Sequence, residues 1–307
     1  MSSTPSVREL APEAVLRRLE LIISRRLDGL LQGDYEGILP GPGSEPDESR
    51  PYEPGDDVRR MDWNVTARTT VPHVRDPVAD RELETWVLLD RSQSMDFGTA
   101  RCEKCDLALA AVAAVGFLTL RAGNRTGAVV LHHQGAQRLP ALPGRQGLLG
   151  LLWRLAKVSS GGDRSGTDLA AGIDQLIRPA RRRGLAVVVS DFLSDTEWDR
   201  PLRALAQRHQ VLAVEIVDPR ELELPDVGYL TLVDTETGRV RDVHTSRRST
   251  RRRYAAAAAQ QRADIAARLR RAGASHLQLR TDRDWVLDIV RFVVAQRRTR
   301  RMAASVR

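Results

Sequence analysis

The chain has 307 residues, enough at roughly 150 per domain for one large domain or two modest ones, each with a sizeable core. Hydrophobic residues make up 42% and charged residues 29%, with 22 Gly and 15 Pro, a composition that excludes a low-complexity or fibrous protein. The net charge is +8, but Lys104 and Lys157 are the only lysines and every other basic residue is arginine; with so much alanine this reads as GC-rich coding bias, so the basic balance alone does not imply a nucleic-acid partner.

Residues 1–12 carry charges but no apolar core of a secretory signal, so a cytoplasmic protein is expected. Val15, Leu16, Leu19, Ile22, Ile23, Leu27, Leu30 and Leu31 then recur at helical spacing, predicting one amphipathic helix that Gly33 ends. From residue 34 to 80 the chain is rich in Gly, Pro and acidic residues without a sustained period, which predicts ordered loops and short strands rather than helices. After it the pattern becomes regular. Strands are predicted at 85–89, 126–132 and 137–142, with a helix at 106–121 between the first two. Helices follow at 146–158 and 168–182, a buried strand at 185–190, a helix near 198–208 and a strand at 211–217. A hairpin-like stretch spans 229–244, turning at Thr237 and Gly238; a long helix at 252–271, a strand at 276–279 and a helix at 285–298 complete the chain. This alternation predicts an α/β fold, an open, mostly parallel, doubly wound sheet covered by helices on both faces. The longest nearly apolar run, 107–120, is shorter than the ~20 residues of a membrane span, so no transmembrane helix is expected.

Just past the first apolar strand of the regular part, Asp90, Ser92 and Ser94 form Asp-x-Ser-x-Ser. Short oxygen side chains two apart in a turn can point the same way, offering the hard ligands that Mg²⁺ demands. The plainer reading is a helix N-cap, with a serine bonding the free amides of the following turn. Thr167 brings another hydroxyl to the start of a helix, and Asp191 another carboxylate to the end of a second buried strand. In open α/β sheets ligands bind beyond the carboxyl ends of the strands, where strand order reverses, and the strands ending near Asp90 and Asp191 are candidates to flank that point.

The set Asp90, Ser92, Ser94, Thr167 and Asp191 resembles the metal-ion-dependent adhesion site of von Willebrand factor type A domains. The resemblance implies that Ser92, Ser94 and Thr167 ligate Mg²⁺ or Mn²⁺ directly and that Asp90 and Asp191 act through bound water or as alternate ligands. One coordination position would stay open for an acidic residue of a partner. Residues 52–68, from Tyr52 to Arg68, resemble the signature that precedes the type A domain in the bacterial domain-of-unknown-function family fifty-eight. That resemblance divides the chain into an N-terminal helix and family-specific extension, 1–81, and a type A-like domain, 82–307. It implies partnership with a MoxR-type AAA+ ATPase and a client protein in protein or metal-cofactor maturation.

Other features read more plainly. Cys102 and Cys105 have thioredoxin-like spacing, but a bridge between them would close a trivial loop, and packing in a reducing compartment is expected. The histidines form no helical His-x-x-x-His pair, so zinc hydrolysis has no support. Arginine clusters at 181–183, 247–253 and 297–301 lack interleaved aromatics, so no nucleic-acid partner is expected. No phosphate-binding loop of the Gly-x-x-x-x-Gly-Lys-Ser/Thr type occurs, and any ATP-driven work must come from another chain. The reading is a non-enzymatic, metal-dependent interaction module, with a metal-dependent hydrolase or a basic nucleic-acid binder as alternatives. Finally, Asp56, Asp57 and Asp62 alternate with Arg59, Arg60 and Arg68 around Trp63, which predicts ion pairs and an aromatic anchor docking this segment on the domain.

Overall fold

A computed structural model of the protein describes residues 49–53, 56–75, 84–120, 124–158, 167–233 and 240–305. The helix expected over 15–31, the domain boundary at 81/82 and the turn at Thr237 and Gly238 lie outside these residues.

Strands β1 (Ser49–Pro51) and β2 (His73–Arg75) pair antiparallel and bracket helix α1 (Trp63–Thr69). This helix corrects the expectation of loops and strands alone. It lacks an apolar period because none of its residues is buried; its start is set locally by Asp62, whose carboxylate accepts from the amides of Asn64 and Val65, both at 3.1 Å. The aromatic anchor expected at Trp63 is corrected, because Trp63 is 68% exposed. Asp56 pairs with Arg50 at 2.7 Å, and Asp57 and Asp62 cap turns.

The regular part supplies β3 (Glu84–Asp90), β4 (Arg125–His132), β5 (Gly135–Pro143), β6 (Leu185–Ser190), β7 (Gln210–Val217), the hairpin of β8 (Tyr229–Val233) and β9 (Val240–His244), and β10 (Ser275–Arg280). Six of these form one sheet in the order β10-β7-β6-β3-β4-β5, parallel throughout except for β5. Between them run α2 (Lys104–Leu118), α3 (Gly144–Lys157), α4 (Leu169–Ile177), α5 (Asp199–Ala206), the single turn α6 (Pro219–Leu222), α7 (Arg248–Arg271) and α8 (Trp285–Ser305). The expected helix at 168–182 stops at Ile177: Arg178 still has helical backbone, but Pro179 has no amide to continue the ladder.

Because side chains alternate across a strand, β3 divides its residues between two cores. Val87 and Leu89 pack with α2, α3 and α8, while Trp86 and Leu88 pack with α4, α5 and α7. Both faces are covered, which is why β6 reads as the unbroken run Leu185-Ala-Val-Val-Val189 rather than as an alternating strand. Each fully buried Val or Leu contributes about 1.5–3 kcal/mol from transfer out of water, so these two layers hold the sheet edge that carries the site rigidly in place.

Candidate functional site

Strands β3 and β6 lie side by side, with Leu89 level with Val189, so Asp90 and Ser190 emerge together at the carboxyl edge. The chain leaves β3 through α2 toward β4 on one side and leaves β6 through α5 toward β7 on the other. The two strands thus flank the reversal of strand order where ligands bind in open α/β sheets.

Beyond that edge the Asp-x-Ser-x-Ser turn folds back on itself. Oδ1 of Asp90 accepts from the Ser92 amide at 2.8 Å and Oδ2 from the Ser190 hydroxyl at 2.6 Å. The hydroxyls of Ser92 and Ser94 lie 3.0 Å apart, whereas Arg91 turns the other way and donates to the Val158 carbonyl at 2.9 Å. Ser92 stands at the N-cap of the turn Gln93–Asp96, yet its hydroxyl makes no capping bond. The N-cap alternative therefore does not account for this serine.

Asp191 faces the same cluster. Its Oδ1 accepts from the Leu193 amide at 3.1 Å, its Oδ2 from the Lys104 ammonium at 2.8 Å, and the Ser94 side chain also bonds it. The next residue, Phe192, has φ 57°, a left-handed backbone that costs a non-glycine residue on the order of 1 kcal/mol or more. Burial, a ring contact with Trp198 at 5.2 Å and a hydrogen bond donated by its amide to the Ser190 hydroxyl at 3.0 Å hold it there, fixing the direction in which Asp191 leaves its strand.

The structure brings Asp90, Ser92, Ser94 and Asp191 together, all buried. Thr167 lies alongside: half-buried, its carbonyl accepts from the Ser194 hydroxyl at 3.2 Å, and the helix behind it is capped by Asp168. Among the described residues no hydrogen bond joins Thr167 to the other four.

The two carboxylates behave oppositely. Burial, reinforced by the neighbouring charge of Asp191, pushes Asp90 up to about 6. Burial would raise Asp191 as well, but the charge and hydrogen bond of Lys104 hold it below the usual carboxylate range.

Sequence reasoning missed what surrounds Asp191. Lys104 is completely buried at the first turn of α2 and also donates to Glu221 of α6. Arg262 of α7 reaches the Asp191 carbonyl at 3.0 Å, Glu215 of β7 at 3.0 Å and Glu221 at 2.9 Å. Glu215 accepts in addition from His276 and Gln278. One signal was available: Lys104 is one of only two lysines in an arginine-rich chain. A third strand-end carboxylate, Asp218 after β7, is engaged otherwise, by Thr99, Thr281 and the amide of Arg220.

Among the described residues no group of three His, Cys, Asp or Glu side chains is placed to hold a metal ion. The switch-point cluster is of another kind, two carboxylates with two hydroxyls and no nitrogen or sulfur donor, and that set fits a hard cation such as Mg²⁺ or Mn²⁺. Cys102 and Cys105 are free thiols, and burial pushes them up to about 12 and about 11, away from the reactive thiolate. Arg181, Arg182 and Arg183 are solvated. No helix among the described residues is long and apolar enough to cross a membrane.

The strand order defines a doubly wound α/β protein, with a buried oxygen cluster at the carboxyl edge of the sheet where the order reverses. The chain belongs to the DUF58 family of proteins of unknown function, whose model matches residues 48–264, including both the Tyr52–Arg68 segment and the strands that carry Asp90 and Asp191. It is 56% identical over 285 residues to the uncharacterized protein Rv1480 of Mycobacterium tuberculosis, covering 93% of this chain and 90% of that one. Among solved structures it is similar to the conserved hypothetical protein BatB of Bacteroides thetaiotaomicron (TM-score 0.45, 15% identity, 70% of this chain and 99% of that chain). Another is a von Willebrand factor type A protein of Catenulispora acidiphila (TM-score 0.35, 17% identity, 48% of this chain and 35% of that chain).

Proposed function

We propose that the protein is a non-enzymatic interaction module that holds Mg²⁺ or Mn²⁺ at Asp90, Ser92, Ser94, Asp191 and Thr167 and uses the ion to grip a carboxylate of another protein. The observation that carries this reading is the convergence of two carboxylates and two serine hydroxyls, bonded within the cluster, at the strand-order reversal. A cation seated there would supply an electrostatic socket for an anionic oxygen from outside the chain. Ser92, Ser94 and Thr167 would contact it, while Ser190 and the Ser92 amide keep Asp90 oriented toward it.

Support for a non-catalytic role comes from the serines themselves. Ser92 and Ser94 bond to each other and to the two carboxylates, with no histidine among these partners, so neither is set up as an activated nucleophile. The partnership with a MoxR-type AAA+ ATPase in the cytoplasm, acting on a client protein in protein or metal-cofactor maturation, is supported by the family resemblance of residues 52–68.

Calorimetric titration with Mn²⁺, followed by capture of the ATPase from native lysate with Mn²⁺ or with chelator, tests both halves. Wild type binds Mn²⁺ and retains the ATPase only with the ion; folded Ser92→Ala and Thr167→Ala lose both. Unchanged Mn²⁺ binding in these variants would remove the metal assignment, and chelator-insensitive capture would remove the metal-dependent grip.

A further inference from the structure

The buried lysine beneath the cluster is not explained by holding the fold together alone. All but two of the 48 basic residues are arginine, and the second lysine, Lys157, lies exposed with its ammonium 3.4 Å from the Trp153 ring centre. At position 104 the chain instead places a compact ammonium, with none of its side chain exposed, between Asp191 and Glu221. A guanidinium is a broad planar fork, whereas an ammonium is a point charge close in character to a small cation. Lys104 thus occupies one oxygen of a carboxylate whose neighbours, Ser94 and Asp90, face the candidate metal position. Arg262 is the other cation of this network and is fully engaged by Glu215, Glu221 and the Asp191 carbonyl, so it cannot take over Asp191's carboxylate without abandoning them.

We infer that Lys104 is a resident counter-cation that competes with the divalent ion for Asp191, so that the site binds metal weakly by itself and firmly only when a carboxylate from outside the chain joins it. This rests on the reading of the cluster as a metal site and deepens it, making Lys104 the positioning residue that couples metal occupancy to partner binding. The ammonium neutralises Asp191 from below, leaving Asp90 as the cluster's one carboxylate without a cationic partner, and a divalent ion set among neutral hydroxyls and one such carboxylate retains positive charge. An external carboxylate removes that excess. The energy of the pair metal plus partner then exceeds the sum of the separate bindings, a reciprocal coupling.

The test is Mn²⁺ titration of the full chain by calorimetry, with and without saturating acetate as the carboxylate probe, and a melting curve for each variant. Lys104→Met is expected to bind Mn²⁺ at least about tenfold more tightly than wild type without acetate, and acetate should strengthen wild type more than the variant. Lys104→Arg, which keeps the charge but spreads it over a planar fork, should bind Mn²⁺ with an affinity between those of wild type and Lys104→Met. A lysine that merely ties α2 to β6 predicts the opposite, weaker or equal Mn²⁺ binding on its removal. If Lys104→Met does not fold, Glu221→Gln decides, because it leaves the ammonium to Asp191 alone and should weaken Mn²⁺ severalfold. Equal affinity in wild type and every folded variant overturns the role of Lys104 while the metal site stands; absence of Mn²⁺ binding in all of them overturns both.

Discussion

Two acidic turns of this chain put the same side chains to different uses. In residues 56–62, Asp56 is half-buried and held by two bonds from Arg50 at 2.7 Å, and exposed Asp57 and buried Asp62 cap local turns beside a tryptophan that water covers. The hydrogen bond from Arg50 lowers Asp56 to about 2. In residues 90–96, burial sends Asp90 the other way, to about 6, and its neighbour Asp191 stays charged only because Lys104 was buried with it. Local bonds suffice to organise a carboxylate that water still reaches. Once water is excluded, a counter-cation must be brought in from a distant part of the chain or the carboxylate takes up a proton.

The sharpest way to break this contrast is Arg262→Ala. It strips a cation from buried Glu215 and from Glu221, and is expected to cost about 3–5 kcal/mol in urea denaturation, whereas pairs that water still reaches, such as Arg50–Asp56, are worth about 0–1. A loss below 1 kcal/mol would place the buried network on the same footing as the solvated one.

A smaller and pH-dependent effect is expected at Asp90. Its folded pKa lies above its unfolded value of 3.8, so the neutral form is favoured by the fold; that contribution is complete below about pH 4 and is lost as pH rises through about 6. In chelator, the stability of wild type relative to Asp90→Asn should therefore fall by about 2 kcal/mol between pH 4 and pH 7. Saturating Mn²⁺ at pH 7 should recover part of the difference. Parallel pH curves for the two proteins would show that Asp90 carries no burial penalty.

The smallest effects belong to the N-terminal turn. Asp62→Ala removes the buried N-cap of α1 and should cost about 1–2 kcal/mol, while Trp63→Ala, changing a side chain that packs on little, should stay within about 0.5. A loss of several kcal/mol at Trp63, read from thermal melting, would mean that the segment is clamped after all.

Much of the architecture could be read in advance because it depends on neighbours in sequence. Leu185-Ala-Val-Val-Val189 is a strand covered on both faces whatever lies around it, and Asp90, Ser92 and Ser94 meet because two-residue spacing in one turn leaves them little choice. The helix at Trp63–Thr69 escaped notice because its signal is a cap and not a buried stripe, and Trp63 misled because an aromatic among charges looks the same in sequence whether it docks or not.

Sequence alone determined the strands, the covering helices and the residue types gathered at the end of β3, since periodicity and turn chemistry act over a few residues. Tertiary structure decided which charges share the site. Lys104 and Asp191 are separated by 87 residues and Lys104 and Glu221 by 117, and Arg262 meets Asp191 from 71 residues away. Electrostatic energy in a dry interior depends on distance in space and on the loss of water, and neither quantity exists along a chain until the sheet and its helices have packed.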